Sequence, residues 1–275
     1  MKVAFITRHT PSNYGSVLQA YATQRTIERF GHEAVCINYI RTDELPENQT
    51  KTLLSVSRWN KNTATRLLYS VTQKTKESTS GGIFIPLAKS TLEKGGVVFG
   101  CAYDENLVAR HIAVEKEADL HKLQGSKYVQ SDLSGIYSRV KSELKDGRNV
   151  LFSGTGCQVA GLRSFLGKDF DNLITVDIVC HGVPSPKLFE KYIGYLGSKL
   201  GEPVKSYNFR SKKRHGRGLF YEVETDNIGK GGSGFDDPYY NAFLNCKTYR
   251  EGCYNCRFAN CDRQGDITLA DFWGI

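Results

Sequence analysis

The sequence has no apolar run long enough to cross a bilayer. A helical span needs about 18 or more uncharged apolar residues, and none occurs in the 275 residues, of which 40% are hydrophobic and 24% charged. The mean hydropathy of -0.40 is that of a chain folded in water. A secretory leader is missing too. Met1-Lys2 is followed only by Val3-Ala4-Phe5-Ile6 before Arg8 and His9, too short for a signal core and suited to a first buried strand. Internal repeats and long low-complexity tracts are also lacking. These absences exclude membrane-spanning and secreted classes, so a cytoplasmic protein without a transmembrane segment is expected.

Cysteine, by contrast, is plentiful. The eight are Cys36, Cys101, Cys157, Cys180, Cys246, Cys253, Cys256 and Cys261, half of them in the last thirty residues. In a reducing compartment such a cluster points to metal binding or redox chemistry before structural disulfides. The 37 Lys and Arg against 29 Asp and Glu leave a net charge of +8, which favours anionic ligands without choosing among them.

Hydrophobic periodicity divides the chain in two. Lys2 to Thr7 reads as a strand. Leu18, Tyr21, Ala22, Ile27 and Phe30 recur at helical spacing, and Ala34 to Tyr39 returns as a second strand, the start of a parallel sheet. Residues 41–80 turn polar, with one weak helical segment at Trp59 to Val71, and read as a linker. A new pattern begins at Ser80-Gly81-Gly82 and runs into the apolar stretch Ile83 to Leu92. Strands are expected at Gly96 to Tyr103, His111 to Val114, Asn149 to Ser153 and Leu173 to Cys180. Helices are expected at Glu117 to Leu123, Ile136 to Leu144, Gln158 to Leu166 and Pro184 to Leu200, the last with Pro in its first turn. Val204 to Phe209 and Leu219 to Thr225 form a hairpin around the basic loop Arg210 to Arg217.

The glycines of Asn149 to Leu166 do not fit a dinucleotide fingerprint, because Gly161 comes two positions late. Cys157 matters more. It stands where a helix starts, a place whose dipole and free amides favour negative charge. The next strand runs to Cys180. In a parallel strand, helix, strand unit both strand ends lie on one sheet edge, so these two thiols can be neighbours, at the edge where open α/β sheets place ligands. Cys253-Tyr254-Asn255-Cys256 is a C-x-x-C pair, which directs two sulfurs at one centre. The pair that completes four ligands is either local, Cys246 and Cys261, or remote, Cys157 and Cys180. A local quartet would make a structural zinc module. Zinc together with the net positive charge would also suit a nucleic-acid binder, with affinity falling steeply with salt.

Six motifs in order carry a family resemblance. They are Ser80-Gly81-Gly82; Gly125-Ser126-Lys127-Tyr128-Val129-Gln130-Ser131; Phe152-Ser153-Gly154-Thr155-Gly156-Cys157-Gln158; Val179-Cys180-His181-Gly182-Val183-Pro184-Ser185-Pro186; Cys253-Tyr254-Asn255-Cys256; and Asp266-Ile267-Thr268-Leu269-Ala270-Asp271-Phe272-Trp273-Gly274. Residues 80–275 thereby resemble the C-terminal region of the coenzyme F420 hydrogenase/dehydrogenase beta subunit family. Gly156 stands where that family usually has Pro, and no ferredoxin-like cysteine run precedes Ser80. The resemblance implies an oxidoreductase with FAD and a [4Fe-4S] cluster. It implies cluster ligands Cys157, Cys180, Cys253 and Cys256, and cofactor contacts from Ser80, Gly81, Gly82, Lys127, Thr155 and Gln158. It names no catalytic residue. His181 and the cations Arg210, Lys212, Lys213, Arg214 and Arg217 are secondary candidates, the latter for an acidic deazaflavin tail. Implied partners are a redox partner protein or ferredoxin and a small-molecule hydride carrier, and not nucleic acid.

Ile6 to Ala22 instead resembles the opening of polysaccharide pyruvyl transferases. Only the first unit of that fold is present, and one unit cannot bury a sheet, so transferase activity is not expected, and a pyruvyl transferase-related protein of surface-polysaccharide synthesis is the alternative reading. The chain stops at Ile275 where the beta subunit family continues, so a fragment or fusion is in keeping with this reading. The expected class is α/β: a partial Rossmann-like strand, helix, strand unit over residues 1–78, then an α/β flavin and iron-sulfur domain over 79–275 with a cysteine-rich C-terminal segment.

Overall fold

The computed structural model describes residues 2–7, 33–38, 83–213, 218–260 and 262–270. The chain forms two compact units. In the first, strands β1 (Lys2–Thr7) and β2 (Glu33–Asn38) pair in parallel from Lys2 opposite Glu33 to Thr7 opposite Asn38. The expected helix between them, the segment Trp59 to Val71, the Ser80-Gly81-Gly82 motif and the Phe272-Trp273-Gly274 end lie outside the described residues.

The second unit is built on a five-stranded mixed sheet. Its strands are β3 (Val97–Tyr103), β4 (Ala109–Val114), β5 (Val150–Thr155), β6 (Leu173–Ile178) and β10 (Ile267–Leu269), in the order β10-β6-β5-β3-β4. All neighbours run parallel except the edge strand β4, which is antiparallel to β3. β3 and β5 are apolar because helices cover both faces. Helix α1 (Phe84–Glu93) and the 3-10 helix Glu117–Leu123 pack Ile85, Ala88, Leu120 and Leu123 onto one face. Helices α2 (Ile136–Lys145) and α3 (Gly156–Leu166) pack Val140, Leu144, Val159 and Leu162 onto the other.

A second core is almost wholly aromatic. It lies among helix α4 (Pro186–Leu200), the antiparallel sheet β7 (Ser206–Phe209), β8 (Phe220–Glu224), β9 (Gly229–Ser233) and helix α5 (Pro238–Leu244). Phe189, Tyr207, Phe209 and Tyr239 stack there with centroids 4.7–6.0 Å apart, a spacing at which offset and edge contacts add to simple burial. A last short helix, α6, spans Glu251–Tyr254. Among the described residues no helix is long and apolar enough to cross a membrane.

Several boundaries differ from expectation. β6 ends at Ile178, opposite the last residue of β5, Thr155, so Cys180 lies in a loop rather than on the strand. α4 begins at Pro186, not Pro184, because Ser185 is the extended N-cap residue and Pro186 takes the first helical position. The segment Glu117 to Leu123 is a 3-10 helix. β9, α5 and β10 are additions to the expected elements. β9 is a Gly-rich strand whose only signal is its partner β8.

Candidate metal centre

Cys157 is the second residue of α3. The helix starts there because Thr155 caps it. Thr155 and Gln158 close a capping box, in which Gln158 Oε1 accepts from the Thr155 amide at 2.9 Å, satisfying donors that a helix start leaves free. Thr155 Oγ1 also lies 3.1 Å from Cys157 Sγ. Behind the cap runs a buried chain: Gln158 Nε2 donates to Ser131 Oγ at 2.8 Å, and Ser131 Oγ meets His111 Nδ1 at 3.0 Å. His111 Nε2 meets the Ser153 carbonyl at 2.9 Å. A carbonyl only accepts, so Nε2 carries the proton, Nδ1 accepts, and Ser131 donates. Burial lowers the His111 pKa to about 4, against a smaller opposing effect of the Ser153 bond and with added repulsion from Lys127. The imidazole is therefore neutral at pH 7 and holds the chain in one direction.

Cys180 follows the end of β6. Its loop is clamped to the chain before the C-x-x-C pair: Pro184 bridges Tyr249 in antiparallel fashion, and the Arg250 amide donates to the Val183 carbonyl at 3.0 Å. The Cys253 amide then donates to the Arg250 carbonyl at 2.8 Å. Gly182 makes the clamp possible. Its φ is +119°, and a Cβ there would sit 2.6 Å from the Tyr249 ring, so only glycine fits. The Gly182 amide donates to Cys180 Sγ at 3.3 Å.

The C-x-x-C segment is tied down from its other side by Arg263. Its Nη2 pairs with Asp177 Oδ2 at 2.7 Å, and the Asp177 side chain is fully buried. Asp177 also accepts from Thr268 Oγ1 at 2.5 Å and from the Gln264 amide at 3.4 Å. A parallel tie joins Arg163 to Asp266 at 2.6 Å, and Asp266 accepts from the Thr175 amide at 2.7 Å. Through these ties the segment after Cys256 folds back along β6 as β10.

Cys157, Cys253 and Cys256, on two other segments, each act on the Cys180 thiol by charge. Cys180 is exposed as a residue, yet its thiol is packed so that burial, the largest cause, pushes its pKa up to about 11. The Gly182 amide opposes that rise, while Cys157, Cys253 and Cys256 each add to it by charge repulsion. Among the described residues no group of three or more His, Cys, Asp or Glu side chains could hold a single metal ion. Tetrahedral zinc at about 2.3 Å from each sulfur requires sulfurs about 3.8 Å apart. A [4Fe-4S] cluster gives each thiolate a different iron and so accepts wider-set ligands. In donor chemistry alone, thiols with one amide on Cys180 Sγ at 3.3 Å are the kind of set a [4Fe-4S] cluster takes.

The remaining candidates are placed as follows. Lys127 Nζ is turned onto the carbonyls of Lys122, Gln124 and Gly125 at 3.3, 2.6 and 3.2 Å, and burial lowers its pKa to about 8. The polar atoms of Thr155 and Gln158 are engaged in the cap. Ser80, Gly81, Gly82 and Cys261 lie outside the described residues. Cys246 Sγ lies 3.9 Å from His181 Nε2, and the His181 ring packs edge-on to Phe243 and Tyr249, a structural role. Lys213 pairs with Glu224 at 2.8 Å and Glu222 at 3.7 Å; Arg214 and Arg217 are outside the described residues. Sequence reasoning missed Asp177, Arg263, Tyr249, His111 and Ser131. Their roles arise from long-range contacts that no local spacing signals.

Residues 147–274 match the family described as the C terminus of the coenzyme F420 hydrogenase/dehydrogenase beta subunit. The resemblance found from the motifs is shown over that segment. The pyruvyl-transferase resemblance of the first residues has no such support. No curated protein matches the chain. A solved structure of the F420-reducing [NiFe] hydrogenase complex from Methanosarcina barkeri is similar at 18% identity and a TM-score of 0.44, covering 71% of this chain. The chain spans 63% of the length of that relative.

Proposed function

We propose, with the family match of residues 147–274 as premise, that this chain is the electron-transferring module of an oxidoreductase. Cys157, Cys180, Cys253 and Cys256 would hold a [4Fe-4S] cluster. What supports this reading is the family match together with the Cys180 thiol, on which Cys157, Cys253 and Cys256 from two other segments each act by charge. FAD is the second cofactor, and its assignment to this chain rests on the resemblance at Ser80, Gly81, Gly82, Lys127, Thr155 and Gln158. When bound, the pair would supply exchange between two-electron hydride chemistry and one-electron transfer. The hydride carrier would be coenzyme F420 or a related deazaflavin or flavin, and the electron partner a ferredoxin or another redox protein.

The chain's own residues prepare the centre. The capping box of α3 fixes the backbone at Cys157, and the Gly182 amide supports negative charge on Cys180. Ile178, Val179 and Tyr254, 41%, 58% and 52% exposed, leave apolar surface on the thiol-bearing segments for a cofactor or partner to cover. Anaerobic purification followed by an absorption spectrum and by iron, sulfide, flavin and zinc analysis tests this. A brown protein with acid-labile sulfide and flavin absorbance is expected. A colourless protein with stoichiometric zinc refutes it.

A further inference from the structure

We infer that Tyr192 is a redox-active tyrosine that gives up one electron while its phenolic proton passes to Asp237, and that a continuous run of aromatic rings links it to exposed tyrosines at either end. Neither step requires a bound cofactor. Tyr254, 52% exposed, lies within the C-x-x-C pair, and its ring is 5.6 Å from that of Tyr249, which is 5.6 Å from Phe243. Phe243 stacks on Tyr128 at 4.4 Å, and Tyr128 meets Phe209 at 5.0 Å. From Phe209 the run passes to Tyr239 at 6.0 Å, to Tyr192 at 5.2 Å and out to Tyr195, 53% exposed, at 6.4 Å. These are the separations of interacting rings, so no aliphatic gap interrupts the run.

What singles out Tyr192 is the partner of its hydroxyl. Tyr239 and Tyr254 donate to main-chain carbonyls, those of Tyr128 at 2.8 Å and Cys246 at 2.9 Å, and an amide oxygen is too weak a base to keep a proton. Tyr192 donates instead to Asp237 Oδ2. Asp237 is 1% exposed, its Oδ1 accepts the Tyr240 amide at 2.8 Å as the cap of α5, and no ion pair reaches it among the described residues. Its carboxylate therefore retains a place for a proton. Burial, and then the bond to Asp237, raise the Tyr192 pKa well above its ordinary value, so the phenol keeps its proton until an electron leaves. The oxidant is a peroxide-derived radical or another one-electron oxidant of high potential. It takes one electron from the Tyr192 ring, the phenolic O–H bond breaks, and the proton moves to Asp237 Oδ2. The products are a neutral tyrosyl radical and a neutral carboxylic acid. A buried charge is thereby removed, whereas a ring cation left with its proton would be costly in this core. An electron returned through Tyr195 by a thiolate, which becomes a thiyl radical, restores the pair as the proton moves back from Asp237. The aromatic core thus carries one-electron oxidation away from the C-x-x-C segment to the surface of α4.

The test oxidises the full chain by flash photolysis of tris(bipyridine)ruthenium with persulfate as electron sink. Tyrosyl radical is followed by transient absorption and, after freezing, by electron paramagnetic resonance. Wild type, Tyr192→Phe, Asp237→Asn and the double variant Tyr195→Phe/Tyr254→Phe are compared, with circular dichroism melts to establish folding. Tyr192→Phe keeps the ring and Asp237→Asn keeps an oxygen for the α5 cap, so both are expected to fold. Wild type is expected to give a long-lived radical whose yield falls severalfold in Tyr192→Phe. Asp237→Asn, whose amide cannot take the proton, is expected to form it about 100-fold more slowly, the lower end of what a positioned base contributes. The double variant, with both exposed ends gone, is expected to slow formation severalfold. An unchanged radical in folded Tyr192→Phe or Asp237→Asn overturns the assignment to Tyr192, and an unchanged rate in the double variant overturns the ring path. In wild type equilibrated in heavy water the rate should fall, and an equal rate overturns the coupled proton step whatever the variants do.

Discussion

His111 is 4% exposed and fully hydrogen bonded in its neutral form, and acidification should therefore act on it selectively. Its folded pKa is about 4 against an ordinary 6.5. The unfolded chain takes up the proton first as pH falls, so this contribution to stability is complete above about pH 6.5 and is lost on the way down to about pH 4. At about 1.36 kcal/mol per unit, the loss is about 2 kcal/mol by pH 5 and about 3.4 kcal/mol below pH 4. Protonation would also place a donor against the Ser131 donor and a charge near Lys127, with Gln158 and the α3 cap next in line. His111→Gln retains one donor and one acceptor but does not titrate. Urea unfolding of both proteins at pH 7, 6 and 5, followed by circular dichroism, isolates the effect as a stability difference that narrows with acid. A difference constant to within about 0.5 kcal/mol over that range, below the effect derived from the pKa shift, would show that His111 is not buried as a neutral relay.

Asp177→Ala strands a half-buried guanidinium and removes the acceptor of Thr268. Denaturant unfolding should show a loss of about 3–5 kcal/mol, the usual cost of breaking a buried pair from one side. Gly161→Ala should destabilise by about 1–3 kcal/mol through overpacking, because its Cβ would lie 2.9 Å from the Tyr137 hydroxyl that donates to the Gln158 carbonyl at 2.7 Å. Gly156→Ala meets nothing nearer than 3.5 Å. It should be neutral or stabilising by up to about 1 kcal/mol through helix propensity, and thermal melts of the two glycine variants side by side would expose either error.

Much of the sheet is legible in the chain. The apolar runs at 97–103 and 150–155 are buried by helices whose own apolar spacing is visible, 173–178 buries only its middle residues, and the parallel β5, α3, β6 unit follows from strand, helix, strand order. The end of β6 is not legible, because Val179 and Cys180 continue the apolar run. Only the end of β5 at Thr155 and the short β10 stop the pairing, and beyond that stop Cys180 lies in a loop. β9 is hidden because glycine carries no strand signal. α5 does carry one, an Asp237 cap before Pro238 with Tyr239, Tyr240 and Phe243 on its inner face. At the centre, sequence position pairs Cys157 with Cys180 at one sheet edge, and the family motifs choose Cys253 and Cys256. What cannot be read is how the C-x-x-C segment reaches that edge. It arrives through Arg263 on Asp177 and Tyr249 on the Gly182 loop, contacts made across 67 to 86 residues of sequence.

The choice of ligands is open to one direct measurement, the iron and acid-labile sulfide retained by single cysteine-to-serine variants of the anaerobically purified chain. Cys157→Ser, Cys180→Ser, Cys253→Ser and Cys256→Ser should each lose most of both, while Cys246→Ser and Cys261→Ser keep wild-type amounts. Retention in Cys157→Ser and Cys180→Ser together with loss in Cys246→Ser and Cys261→Ser would contradict the three-segment centre and assign the metal to a local quartet.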